Sequence, residues 1–105
     1  MNEKYSVVYS PEALEDLRSI YSYIAFELQA PMAAAKLVKR IRAEIYLLDE
    51  MPARFVLVDW EPWKSRNTHK MPVGKYIVYY IVYESELKVE IIRIFYGGRD
   101  IPRIM

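Results

Sequence analysis

The side chains in this sequence that could do chemistry are few and mostly basic. Arg66, His69, Lys70 and Lys75 stand close together, and Arg93, Tyr96 and Arg99 follow near the C-terminus. These types suit work on a phosphate. Imidazole and phenol can move protons, while guanidinium and ammonium groups can hold the charge that develops in a transition state. The spacing by itself does not demand that reaction. His69 is the only histidine and there is no cysteine, which rules out a metal cluster built on those ligands and a Cys-His pair. A lone histidine beside Thr68 and Lys70 reads first as a surface residue. Gly97-Gly98 is too short for a phosphate-cradling loop, and no helix pattern follows it. The acids Asp49, Glu50, Glu84 and Glu86 fall at element ends, where turns and solubility account for them. Arg93 is a charge set among Ile91, Ile92, Ile94 and Phe95. An ion pair with an acid such as Asp100 explains it, and strand alternation puts it on the opposite face from Tyr96.

Those residues must be carried by a sheet. Residues 75–83 are β-branched or aromatic almost throughout, residues 84–86 are polar, and residues 87–96 resume the β pattern. This reads as an antiparallel hairpin ended by Gly97-Gly98, with Tyr96 and Arg99 delivered to its rim. Residues 64–70 read as an exposed segment leading into it, and residues 54–61 as either a strand or an apolar loop. Further upstream, residues 4–9 form a short strand that joins the sheet. Ser10 caps a helix with Pro11 at its first position and Glu12 in the first turn. Leu14, Leu17, Tyr21, Ile24 and Leu28 give that helix one apolar stripe. Ala30-Pro31 interrupts, and a second helix over residues 32–49 presents Ala34, Leu37, Val38, Ile41, Ile45 and Leu48 to the core. Lys36, Lys39, Arg40 and Arg42 face outward. The order predicts an α+β fold: a small twisted antiparallel sheet packed against an N-terminal helical hairpin.

A chain of 105 residues builds one core, so residues 1–105 are expected to be a single domain. The absence of cysteine fits a reducing cytoplasm. No leader pattern opens the chain, and no apolar run approaches the ~20 residues that span a bilayer. Net charge is +1 but unevenly spread. Residues 1–30 carry five acids against two bases, and residues 62–105 carry eight bases against four acids. The basic half suits an anionic partner as well as it suits a solvated surface.

Val73-Gly74-Lys75-Tyr76, Val78-Tyr79-Tyr80, Val89-Glu90-Ile91-Ile92-Arg93-Ile94 and Tyr96-Gly97-Gly98-Arg99-Asp100-Ile101 resemble the RelE/ParE superfamily of toxins from bacterial type II toxin-antitoxin modules. Tyr9-Ser10-Pro11-Glu12-Ala13 and the helix after it resemble the family's opening. The resemblance implies a growth-inhibiting protein, of a kind tied to plasmid stabilisation, that needs no cofactor and is bound by an antitoxin. Its target would be DNA gyrase, as for ParE-like members, or messenger RNA on the ribosome, as for RelE-like ones. An inactive toxin kept as a binding module for its antitoxin is the third reading. If the protein is a nuclease, residue chemistry makes His69, Tyr96 and Arg99 the catalytic candidates. For binding the candidates are Arg66, Lys70, Lys75, Arg93 and Arg99. Ile77 stands where many relatives carry Arg, and the ending looks ParE-like, so gyrase is the favoured target.

Overall fold

The computed structural model describes residues 4–98. Within them four strands and two helices follow the predicted order: β1 (Ser6–Tyr9), α1 (Pro11–Ser22), α2 (Pro31–Tyr46), β2 (Thr68–Val73), β3 (Tyr76–Tyr83) and β4 (Lys88–Tyr96). The sheet order is β1-β4-β3-β2. The β2-β3 and β3-β4 pairs are antiparallel, as expected for hairpins, while β1 joins β4 in parallel. The parallel edge follows from connectivity. The helical hairpin carries the chain across one face of the sheet between β1 and β2, so β1 does not meet its partner through a tight turn.

The start of α1 is fixed twice. Ser10 Oγ accepts the Ala13 N–H at 3.0 Å, capping the helix, and donates to the Ile92 carbonyl at 3.0 Å, tying the cap to β4. After Ser22 the helix widens into a π turn over Tyr23–Glu27. The extra residue shifts the apolar stripe. Leu17, before the turn, is buried; Leu28, after it, is exposed, and Ala25 takes an inner position within it. In α2 the anticipated Ala34, Ile41 and Ile45 are buried, with Leu48 following in a 3₁₀ turn.

One core lies between the helices and the sheet, built from Leu17, Ile41, Ile45, Leu48, Met71, Val78, Tyr80, Val89, Ile91 and Ile94 among others. The other sheet face carries a smaller cluster of Val58, Tyr79 and Phe95, with Trp60, Trp63, Ile77 and Ile92 against it. The segment over residues 54–61 is therefore an apolar loop. Its strand character is limited to one bridge between Leu57 and His69, and its side chains close the second face.

Residues 64–67 are the exposed lead-in that their polarity suggests, but the exposure does not continue through Lys70. Thr68 and His69 belong to β2 and are buried. Polarity misled at Thr68 and His69 because the loop upstream runs alongside them: the Val58 N–H donates to the Thr68 carbonyl at 2.9 Å, and the Phe55 carbonyl lies 2.8 Å from His69 Nδ1.

Candidate functional site

At the Tyr96 end of the sheet, a groove of about 690 Å³ opens between α1 and the strands. Ile20, Tyr23, Ile24 and Leu28 form its helical wall, and Tyr76, Ile94 and Tyr96 its sheet wall. Lys75 and Asp16 stand on its rim. Tyr76 and Tyr96 pack edge to face, 5.7 Å between ring centroids. Burial pushes the Tyr76 hydroxyl up from its ordinary range, and the neighbouring Tyr96 and Tyr23 add to the shift. The groove runs into an exposed apolar tip of the helical hairpin, where Tyr23 is 56%, Phe26 72%, Leu28 55% and Met32 87% exposed. Mostly apolar grooves with charged groups beside them are the kind of surface on which amphipathic segments dock.

Two glycines shape the rim. Gly74 has φ +59° and begins the two-residue loop joining β2 to β3, where only glycine turns without strain. Gly97 donates its N–H to the Lys75 carbonyl at 2.8 Å. A Cβ at Gly97 would lie 3.1 Å from that same oxygen. The close approach brings Lys75 and Tyr96 to one end of the sheet.

Arg93 is bound elsewhere. Its guanidinium lies over Phe95, 4.3 Å from the ring centroid, and bends round the free edge of β4 to Asp16. Nε reaches one Asp16 oxygen at 2.9 Å and Nη2 the other at 3.0 Å. The first oxygen also accepts the Ile94 N–H at 2.9 Å. Asp16 thus takes the place of a neighbouring strand where β1 has ended. Its hydrogen bonds hold the Arg93 proton more firmly than usual. Among the described residues the acid that holds Arg93 is Asp16; the Asp100 suggested by proximity in sequence lies outside the described residues. β4 does bulge, since Tyr79 faces Arg93 while Tyr80 faces Ile91. The extra residue precedes Arg93, so Arg93 and Tyr96 still alternate.

His69 sits at the far end of the core. It is 4% exposed, its ring stacks on Tyr80 at 5.2 Å and 13°, and Nδ1 lies 2.8 Å from the Phe55 carbonyl. The Tyr80 hydroxyl donates to the Pro52 carbonyl at 2.6 Å. His69 pairs with Tyr80 in the ladder and Tyr96 pairs with Tyr76. The two candidates for proton transfer are thus about 13 Å apart along the sheet and roughly 10 Å across it. Acid and base must each lie within hydrogen-bond reach of the reacting group. His69 and Tyr96 do not share one phosphate in this arrangement.

Arg66 stacks over Trp63, 5.0 Å from the ring centroid, and lines a separate hollow with Tyr83 and Glu90. Lys70 is half-buried opposite Tyr79. Of the sequence-derived candidates, the groove gathers Lys75 and Tyr96. Arg99 lies outside the described residues. Asp16, Tyr23, Leu28 and Tyr76 are not among the sequence-derived site candidates; the sequence assigns Leu28 to the core and Tyr76 to a family motif. The signal that could have found Tyr23 and Leu28 is the Ala30-Pro31 break, because residues at a hairpin tip outrun the core that could cover them.

No helix among the described residues is long and apolar enough to cross a membrane. A search of curated proteins returned no match. Among solved structures, the chain is similar to the chromosomal ParDE toxin-antitoxin system from P. aeruginosa. The TM-score is 0.72 at 20% identity, covering 90% of this chain and 97% of that one. It is similar to a mutant of E. coli toxin RelE in the free state, with TM-score 0.65, 14% identity and coverage of 97% and 99%. It is also similar to the RelBE2 toxin-antitoxin complex from Mycobacterium tuberculosis, with TM-score 0.63, 18% identity and coverage of 91% and 94%. At these identities the likeness establishes the fold, two helices against a four-stranded mixed sheet. The sequence itself matches the family model of the ParE toxin of the type II toxin-antitoxin system, parDE, over residues 7–101. The chain belongs to that toxin family.

Proposed function

We propose that this chain is a single-domain cytoplasmic toxin that stops bacterial growth by inhibiting DNA gyrase, and that a cognate antitoxin holds it inactive by filling the groove beside Tyr96. The observation that carries the choice of target is the placement of His69. Locked between Tyr80 and the Phe55 carbonyl, it serves the core, and the exposed end of the sheet presents a surface for binding. Lys75 and Tyr96 contribute to that surface, with Arg99 following them in the chain. The antitoxin segment that suits the groove is amphipathic and acidic, with apolar side chains against Ile20, Ile24 and Tyr76 and a carboxylate at Lys75.

The test uses purified protein on both targets. Inhibited gyrase supercoiling with intact messenger RNA is the expected result. Ribosome-dependent cleavage that Tyr96→Phe abolishes would overturn it in favour of a nuclease. Normal growth on inducible expression of folded protein would instead identify an inactive binding module.

A further inference from the structure

The helical hairpin ends in an apolar tip. Met32 and Phe26 are the two most exposed large apolar side chains among the described residues, and neither lines the groove beside Tyr96. The turn that carries them is fixed rather than frayed. The Leu28 N–H donates to the Tyr23 carbonyl and the Ala30 N–H to the Ile24 carbonyl, both at 3.0 Å, with Gln29 at φ +53° between them. This is the hydrogen-bonded close of a helix through a left-handed residue. It holds Phe26 and Leu28 outward before any partner arrives, so a contact made there costs little further ordering.

Cations stand behind the tip. Residues 19–40 contain one acid, Glu27, against Lys36, Lys39 and Arg40. All three cations are exposed, and among the described residues no carboxylate pairs with them or with Lys75. At about 1.5 Å per residue, Lys36 lies about 6 Å and Arg40 about 12 Å beyond Met32 along α2. A Cβ at Gly74 would lie 3.3 Å from Arg40 Nη1, so the turn between β2 and β3 brings Lys75 close to the level of Arg40. The start of α2 belongs to the tip as well. No side chain caps it and its first turn holds no acid, so the positive end of its dipole is turned toward whatever the tip meets.

We propose that the hairpin tip docks on an anionic lipid surface, with Phe26 and Met32 in the headgroup boundary and Lys36, Lys39, Arg40 and Lys75 among the lipid phosphates. The contact is independent of the gyrase and antitoxin readings above. It is peripheral, since no helix among the described residues is long and apolar enough to cross a membrane. Apolar groups of peripheral segments sit about 5–10 Å into the headgroup and acyl boundary. Cations about 6–12 Å further out then lie at phosphate depth, where each adds about fivefold to binding. A nucleic acid would meet the same cations but leave Met32 and Leu28 without an apolar partner. A second copy of the chain fits less well, because two tips meeting about a two-fold axis would oppose two sets of cations.

The probes are vesicles of phosphatidylglycerol with phosphatidylethanolamine, and vesicles of phosphatidylcholine alone, mixed with the purified full chain and separated by flotation. Binding to the anionic vesicles should be at least tenfold tighter than to the neutral ones and should weaken with salt. Lys36→Gln and Lys39→Gln should each cost about fivefold, and Phe26→Ser should cost about tenfold. The chain has no cysteine, so Met32→Cys gives one site for a polarity-sensitive thiol dye. Its emission should shift to the blue on anionic vesicles, while the same dye on Tyr46→Cys, about 21 Å away at the other end of α2, should not respond. This readout stands even where Phe26→Ser lowers the yield of folded protein. Absence of binding to anionic vesicles would overturn the proposal, and so would binding that leaves the Met32→Cys dye in water. A dimer in sedimentation without lipid that Phe26→Ser abolishes would assign the tip to a second copy instead. A dye shielded in a co-purified antitoxin complex but unmoved by vesicles would assign it to the antitoxin.

Discussion

His69 carried the greatest chemical promise in the sequence, yet its surroundings make it structural. Its ring fills space against Tyr80, and its Nδ1–H satisfies a carbonyl of the covering loop. His69→Ala should cost about 3 kcal/mol, from the cavity and the carbonyl left unpaired, measured by urea unfolding. Toxicity per folded molecule should not change. Tyr80→Phe should cost about 1–3 kcal/mol, because the Pro52 carbonyl loses its 2.6 Å donor inside the core. A His69→Ala protein of full stability but no toxicity would contradict this account and return His69 to the list of reacting groups.

At the scale of elements, the end of β4 depends on a side chain in place of a strand. Asp16 satisfies Arg93 and the Ile94 N–H together. Asp16→Ala should destabilise by about 2 kcal/mol, a figure kept modest because Arg93 is partly solvated. Exchange at the Ile94 amide should quicken with it, whereas Asp16→Asn, retaining one acceptor, should lose less. Gly97→Ala tests the neighbouring turn. Its methyl would press on the Lys75 carbonyl at 3.1 Å, so a loss of about 1–3 kcal/mol is expected. An unchanged melting temperature would mean that the strand end yields freely.

For the whole molecule, burial raises the hydroxyl pKa of Tyr76, Tyr79 and Tyr80. A raised pKa means that the fold favours the neutral phenol. Their contribution to stability is complete below about pH 10, the unfolded value, and is lost as pH rises through the folded ones. Alkaline titration should therefore show tyrosinate absorbance in two stages, exposed tyrosines first and the buried ones together with loss of circular dichroism. A single titration near pH 10 with the fold intact would refute it.

What the sequence determined by itself was local and periodic. The Ser10-Pro11 cap, the α2 stripe and the two runs of β-branched residues each declare themselves within a few positions, because capping geometry and side-chain period are short-range properties. The motifs of residues 73–101, with the opening at residues 9–13, also carried the family. Tertiary structure alone decided the rest. A loop upstream buries His69. Asp16, distant in sequence, captures Arg93. A π turn moves Leu28 from core to surface. β1 seats itself in parallel beside β4, at the end of the sheet. Each of these depends on which remote segment arrives to cover or pair with a residue, and residue type and spacing do not encode that arrival locally.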